Sequence, residues 1–445
     1  MKNLETHEPH ESWSGLTFRA SVFRRFRVSA FQRFSVSVVY LSTFCFLLSA
    51  FSLFAQDSLL LSQNGQRDAD ARKLELENLP YMLRWGDLKL VTGASMAGEW
   101  NDNINLSHAA PEADFLLRPQ ADCDLYWPVT EINILKVSFG VGYDKYLRYS
   151  ENDHIIVSPG SQLSWDVMIK DFKINLHDQF SYYEDPTVNG SVSGQARFGG
   201  FENTAGVLGT WDLNDVVLSL GYDHFNFIAS TTRYDYTTRA SDFFTARVAA
   251  RVHPGTMVGV ETSAGPTAYD QAVLQNNTTY SLGAFAEWQV TDFIATQLHG
   301  GYYGYDFDAL GHLPASTQTG YYLSLNYNQR LRKNISCNFE AGRQTSLGIY
   351  SSLTEQWYGQ CGVDWRPLRH LSTYAGFRYE TTTQSQYLQY GDNYDRMFVN
   401  LRLSTPLNKK WTASVEYRYW IKNSNLLTYQ DYEQNRVTLQ LAYHF

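Results

Sequence analysis

The sequence predicts an all-β protein, an antiparallel transmembrane β-barrel of about 18 strands with 16 as the fallback count, behind a cleaved N-terminal signal peptide. Three observations carry this. Long segments alternate strictly between apolar and polar residues, the connections between them alternate short and long, and tryptophan recurs at fixed places within the segments. Mean hydropathy is only -0.35, and aromatic residues make up 15% of the chain, with 31 Tyr and 26 Phe. Apolar residues alternating with polar ones average to a hydrophilic score while still presenting a continuous apolar face, so the low mean does not exclude a membrane.

At the N-terminus, Arg19, Arg24, Arg25, Arg27 and Arg33 precede VVYLSTFCFLLSAFSLFAQDS. Basic residues ahead of an apolar run that ends at a small residue are the pattern of an export signal, with cleavage expected after Ala55. A retained anchor helix is the rival, since the run is about long enough to span. A lipoprotein reading fails because Cys45 sits inside the apolar run behind Phe44. The expected division is therefore 1–55 signal peptide, 56–86 periplasmic segment and 87–445 barrel. Removing residues 1–55 takes six basic and three acidic side chains and moves the net charge from -9 to -12. So acidic a chain offers no electrostatic footprint for nucleic acid. The segment 56–86, with DADARKLELENL, is charged and suits a short periplasmic helix.

The alternation begins at once in the remaining chain. In DFLLRPQADCDLYW, Phe115, Leu117, Pro119, Ala121, Cys123, Leu125 and Trp127 share one face; Arg118, Gln120, Asp122, Asp124 and Tyr126 share the other. ILKVSFGVGYD sets Leu135, Val137, Phe139, Val141 and Tyr143 against Lys136, Ser138, Gly140 and Asp144. TYSLGAFAEWQV and WTASVEYRYW repeat the pattern, with Glu287, Glu416 and Arg418 on their polar faces. Such strands reach the ~9–11 residues that a tilted strand needs to cross a bilayer. RVTLQLAYHF closes the sequence in the same way, with Val437, Leu439, Leu441, Tyr443 and Phe445 alternate. Lipid cannot satisfy an open strand edge, so this last strand is expected to pair with the first, around Leu88, Leu90, Ala94 and Met96.

Short turns are expected at Pro128, Ile169, Leu213, His253, Val290, Leu331, Arg366 and Pro406, recurring with each hairpin. Between them lie longer polar stretches: NDNINLSHAAPEA, EDPTVNGSVSGQARFGG, ASTTRYDYTTRA, SSLTEQW and NSNLLTYQDYEQ. Short periplasmic turns and long outer loops are the asymmetry of outer-membrane barrels. Trp127, Trp165, Trp211, Trp288, Trp365 and Trp411 lie on apolar phases beside short turns; Trp100, Tyr143, Tyr222, Tyr280, Trp357 and Tyr419 lie towards the long loops. Tyr280 and Trp288, Trp357 and Trp365, and Trp411 and Tyr419 are eight residues apart. At ~3.3 Å per residue and ~40° tilt that is roughly 20 Å along the membrane normal, the spacing of two aromatic girdles around an apolar band.

From Leu83 onward the chain resembles the loosely defined β-barrel porins of Gram-negative bacteria, on LRWGDLKL, WNDNINLS and the aromatic terminus. The resemblance covers nearly the whole barrel segment through short motifs shared by many barrels. It implies an outer-membrane location and a pore, and brings no catalytic residues. The tail, through Tyr443 and Phe445, is similar to the C-terminal signal read by the bacterial barrel-assembly machinery.

A barrel this wide is expected to hold water, lined by polar-phase charges of both signs: Arg118, Asp122, Asp124, Lys136, Asp166, Lys173, Arg247, Arg251, Glu287, Arg330, Glu340, Asp364, Arg378, Glu416 and Arg418. Loops such as 184–200 are candidates to fold inward and narrow it. Asp122 and Asp124 would draw cations, Arg247 and Arg251 anions. His154, His177, His299 and His444 fall on polar phases, but no local motif builds a Ser-His-acid triad, and no enzyme activity, metal or cofactor is expected. Asp392, Asp395, Asp431 and Glu433 offer an unspecific set of Ca²⁺-type ligands. Cys337 and Cys361 are expected on the lipid face, opposite each other if their hairpin turns near 349; two small lipid-facing residues are favoured over a disulfide. The functional expectation is passive diffusion of small hydrophilic solutes, with a non-conducting barrel for surface binding or polysaccharide export as the alternative. Intact-mass analysis of the protein purified from outer membranes should place its first residue at Gln56; retention of residues 1–55 would favour the anchor.

Overall fold

The computed structural model describes residues 82–130, 132–385, 392–425 and 427–445. The expected signal peptide, and all but the last few residues of the expected periplasmic segment with its helix, lie outside the described residues. The described residues begin with a short strand β1 (Leu83–Trp85) that turns at Gly86, φ 62°, onto β2 (Leu88–Asn101). Then follow β3 (Asp114–Pro128), β4 (Ile134–Tyr146), β5 (His154–Ile169), β6 (Phe172–Tyr183), β7 (Gly200–Asp212), β8 (Val216–Ala229), β9 (Arg239–His253) and β10 (Thr256–Tyr269). The second half adds β11 (Asn277–Thr291), β12 (Ile294–Phe307), β13 (Ser316–Arg332), β14 (Ile335–Leu347), β15 (Leu353–Leu368), β16 (Leu371–Gln384), β17 (Asn393–Pro406), β18 (Trp411–Ser424) and β19 (Tyr432–His444).

Each of β2 to β19 pairs antiparallel with its sequence neighbours, and β19 pairs with β2, closing an 18-strand barrel. The closing register sets Tyr443 opposite Ala94, Leu441 opposite Met96 and Val437 opposite Trp100. The last backbone N–H, on Phe445, donates to the Thr92 carbonyl at 3.1 Å. Closure leaves no ladder edge, which is how a β-fold satisfies its backbone without water.

All eight short turns fall where the sequence places them, from the β3–β4 connection at Pro128 to the β17–β18 connection at Pro406. Asn214, φ 68°, and Lys170, φ 56°, take the left-handed conformation at two of them and Gly255, φ 77°, at a third. Asn and Gly visit that region readily, whereas Lys does so at a cost. The long connections lie at the opposite end of the barrel. SSLTEQW is an exception: Leu353 to Trp357 belong to β15, and only residues 348–352 form the connection. The expected loop is strand because Leu353 and Trp357 still alternate with the polar residues between them, and Leu353 has buried apolar neighbours.

One face of each strand is apolar and accessible. Leu220, Phe244, Val260, Leu282 and Tyr302 are each more than half exposed on successive strands. The other face carries the charged residues, most of them buried in pairs. A water-soluble fold would show the reverse. Cys337 lies opposite Val363 and Cys361 opposite Phe339, so the cysteines are diagonal rather than opposite. The hairpin turns one residue later than the register that would align them. Val415, midway between Trp411 and Tyr419, gives the direct test of which face meets lipid. Val415→Arg should lower folding stability in lipid vesicles by ~2–4 kcal/mol, the midplane cost of a lipid-facing arginine, while Ser414→Arg on the opposite face should cost little; urea titration of vesicle-folded protein reads both.

A candidate pore with an inward loop

The connection between β6 and β7, residues 184–199, leaves the wall and crosses the barrel. Asp185 caps the single-turn 3-10 helix Pro186–Val188, its carboxylate accepting from the Thr187 N–H at 2.9 Å and Thr187 Oγ1 at 2.6 Å. Asp185 also receives both terminal nitrogens of Arg436 on β19, at 2.6 and 2.9 Å. Further along, Arg396 Nη1 on β17 donates to the Thr187 carbonyl at 2.9 Å and Gln384 Nε2 on β16 to Ser191 Oγ at 2.7 Å. Ser193 Oγ donates to the Gln430 carbonyl at 2.8 Å, and the Gly194 N–H to the Leu106 carbonyl at 3.0 Å. The loop is thus fastened to strands and loops far from its own base. Its sequence permits this: small residues at Gly190, Ser191, Ser193 and Gly194 let the backbone come close. A β-carbon at Gly190 would lie 2.7 Å from the Tyr394 hydroxyl and 2.8 Å from Arg396 Nε.

Beneath and beside the loop is a cavity of about 330 Å³. Arginines from five strands line it, Arg118, Arg378, Arg396, Arg418 and Arg436, together with Glu99, Asp144, Glu184 and Asp185. Nearly every charge has a counter-ion. Arg118 binds Asp144 at 2.7 Å, Arg418 Nη2 reaches Glu99 Oε2 at 2.7 Å, and Glu380 takes both Arg378, at 2.8 Å, and Arg396. Glu99 is buried among Arg118, Arg418 and Arg436, its Oε2 accepting from Thr438 Oγ1 at 3.0 Å while Oε1 makes no hydrogen bond and lies 3.8 Å from Arg436. Trp420 stacks on Phe398 with ring centroids 4.0 Å apart, and the Arg396 guanidinium lies over the indole.

Burial alone would raise the Asp185 pKa, but Arg436 overrides it and holds the carboxyl well below the usual carboxylate range. Glu184 behaves likewise: burial opposes its charge, and the Arg197 guanidinium, the Tyr182 hydroxyl and His154 pull it below its ordinary value.

The remaining polar-phase residues lie on inward faces, chiefly in pairs. Asp166 is 3.3 Å from Lys173, Arg247 2.5 Å from Glu287, and Glu416 3.0 Å from Arg402. Glu340 accepts from Tyr358 at 2.8 Å and Gln360 at 2.6 Å. Lys136 is buried. Arg251 binds Asp212 at 2.8 Å at the short-turn end, where Arg330 and Asp364 line a cavity of about 260 Å³. Asp122 and Asp124 line another of about 490 Å³. The four histidines are dispersed: His177 binds Asp223 at 2.7 Å, His299 reaches Glu261 at 3.1 Å, His154 meets the Asn152 carbonyl at 2.8 Å, and the His444 N–H donates to the Lys410 carbonyl. Among the described residues, no group of three or more His, Cys, Asp or Glu could hold a metal ion.

On the outer face, Trp100, Trp127, Trp165, Trp211, Tyr280, Trp288, Trp357, Trp365 and Trp411 are exposed, and Tyr419 is half-buried. Trp127 and Trp165 both lie opposite Leu135, at one level near the short turns. Tyr443 packs against Trp411, centroids 4.8 Å apart, and edge-on to Phe445 at 4.6 Å. The sequence places Asp144 and Arg436 on polar phases without counting them among the lining charges, and it does not single out Glu99, Arg396 and Arg402, which extending the polar phase towards the loop end would have found. Nothing in the local sequence told that Asp185 reaches across the barrel to Arg436.

A spin label at Ala196→Cys reads the docking of the loop. A carboxyl with a depressed pKa stabilises the docked form above its unperturbed value and loses that contribution as pH falls through its folded pKa. The label should be immobilised at neutral pH, stay so as pH falls to about 4, the ordinary carboxylate range, and become mobile only at more acid pH. Asp185→Asn should mobilise it at neutral pH.

Comparisons with known proteins are sparse at the level of sequence. No family model and no curated protein matches the chain. Among solved structures, OpdQ of Pseudomonas aeruginosa aligns with a TM-score of 0.47 at 11% identity, over 81% of this chain and 99% of that one. A BenF-like porin from Pseudomonas fluorescens Pf-5 gives 0.46 at 7% identity, over 80% and 99%. OpdK of Pseudomonas aeruginosa, in a structure with vanillate, gives 0.44 at 8% identity, again over 80% and 99%. These are likenesses between barrels; the fold rests on the strand pairing of this chain.

Proposed function

We propose that the chain is a porin of the outer membrane of a Gram-negative bacterium, passing small hydrophilic solutes passively from the long-loop end to the short-turn end. The observation that carries this is the combination of a closed barrel, an accessible apolar outer face and a charged inner face narrowed by a docked loop. Lipid suits the outer face, because it asks nothing of a paired backbone and rewards apolar side chains. Water and solute suit the inner face. In such a pore, width at the constriction and the sign of the lining charge select what passes. The exposed tryptophans and tyrosines serve as the two interfacial girdles, and Tyr443 and Phe445 as the sequence read by the barrel-assembly machinery.

The alternative, a non-conducting barrel for surface binding or polysaccharide export, draws on one feature. Loops meet inside the long-loop end, where Val192, Phe198, Tyr234 and Ile349 form a buried apolar cluster. Planar bilayers separate the two: discrete open-channel steps support the porin, and silence at all voltages supports the binder. Within the porin reading, Arg418→Gln or Arg436→Gln removes a cation at the constriction. The cation-to-anion permeability ratio should rise about fivefold, the equivalent of ~1 kcal/mol of attraction at contact distance in water. Asp122→Asn with Asp124→Asn should shift it the other way.

A further inference from the structure

The inward segments do more than narrow the barrel. Strands β6 and β7 send their loop to the wall at β16–β19, and the connection after β14 reaches inward from another quarter to meet it. The two meet on the β8–β9 loop in one apolar cluster: the Tyr234 hydroxyl lies 3.1 Å from that of Tyr350, and Phe198 stands edge-on to Tyr234 with centroids 4.8 Å apart. The β14–β15 hairpin can reach the interior because its pairing with β13 ends at Leu323 and Arg343, while β13 continues to Ser316. Past that point Thr345 Oγ1 donates to the Tyr303 hydroxyl at 2.6 Å, and Leu353 packs against Tyr303, Tyr305, Phe307 and Tyr322, inward-facing or buried residues of β12 and β13. A second aromatic cluster, Phe225, Phe227 and Phe243, fills the inner face of β8 and β9, with Arg239 over two of its rings. At mid-depth on the same side, the Arg247 guanidinium lies 3.5 Å from the Phe285 ring centroid, Phe285 stacks on His299, and Glu261 accepts from Tyr322 at 3.0 Å. Packed aromatic rings leave no room for solvated solute.

The opposite side is built differently. The constriction cavity at Glu99, Arg118 and Asp144 lies on β2–β5 and β16–β19. The cavity of about 490 Å³ lies on β2–β5 and β19, lined by Gly93, Ser95, Gln120, Asp122, Gly140 and Ser158. Glu99 and Ser95, and likewise Arg118 and Asp122, are four positions apart on one strand, so with ~40° tilt the second cavity begins ~10 Å nearer the short-turn end. Small residues, Gly93, Ala94, Ser95, Gly140, Ser158 and Gly160, make up part of its wall, and a β-carbon at Gly140 would press on Ser158 Oγ and lie 2.6 Å from Asp122 Oδ1.

We propose that the inward loops partition the lumen, and that solute crosses by one eccentric route against β2–β5 and β19, through the arginine-lined constriction and then the small-residue cavity below it. From the long-loop end to mid-depth, the β8–β13 side is a packed structural sector. This rests on the porin reading and says where in the barrel transport occurs.

Substituted-cysteine block tests it. In the full-length protein with its native cysteines replaced, Ser95→Cys and Ser158→Cys place a thiol on the route; Ser263→Cys and Ser281→Cys place one on the inner face of β10 and β11. A bulky methanethiosulfonate added to open channels in planar bilayers should cut single-channel conductance about twofold or more at Ser95→Cys and Ser158→Cys, and leave the other two within about a tenth of the unreacted value. Block at Ser263→Cys and Ser281→Cys, equal to or greater than that at Ser95→Cys and Ser158→Cys, overturns the partition while leaving the porin intact. Absence of channels in the cysteine-free parent overturns the porin reading itself. Labelling followed by intact-mass measurement in detergent gives an independent readout: Ser158→Cys should react faster than Ser281→Cys, and the reverse order overturns the partition.

Discussion

Hydrocarbon supplies no hydrogen-bond partner, so a strand surrounded by it must give every backbone N–H and C=O to another strand. In this barrel the requirement is met by pairing β19 with β2, from His444 opposite Gly93 to Arg436 opposite Asn101. The remaining features follow from that closure. A closed ladder fixes which residues point out and which point in, because successive side chains alternate. It also leaves a cylinder whose interior is too wide for strand side chains to fill, so other groups have to occupy or line it.

What occupies it is a set of ion pairs and inward loops. A lone arginine or glutamate turned into a narrow interior pays a large desolvation penalty, and a partner offsets it. Glu99 illustrates the arrangement: it is buried, yet it sits among Arg118, Arg418 and Arg436. The same electrostatics hold the β6–β7 loop, since Arg436 serves both Glu99 and Asp185. Fixing the loop thereby uses the charges that line the inner cavity. Arg247 and Arg251, which in isolation would attract anions, are committed to Glu287 and Asp212.

The alternation of RVTLQLAYHF and DFLLRPQADCDLYW was enough to tell inner from outer face, because a two-residue period is a local property. The eight short turns were equally legible, since Asn214 and Gly255 sit where a tight reversal demands a left-handed residue. Loops were not. SSLTEQW is polar enough to read as a loop, but Leu353 pairs as a strand because it packs on Tyr303 and Tyr305, residues some fifty positions away. Asp185 gives no local sign of its partner Arg436, and the pairing depends on barrel curvature. The cysteines show the same limit in small: the turn sits one residue later than the register that would align Cys337 with Cys361. Periodicity thus reported the wall, while the contents of the lumen depend on contacts distant in sequence.

The central claim is that the accessible apolar face touches lipid and the charged face does not. Quenching of single-tryptophan variants by lipids brominated along their chains measures it directly. Trp365 is exposed on the outer face, and Trp420 lies inward, stacked on Phe398. With the protein folded into such vesicles, fluorescence of the Trp365-only variant should be strongly quenched and that of the Trp420-only variant should persist. Equal quenching of the two, or no quenching of either, would contradict the account.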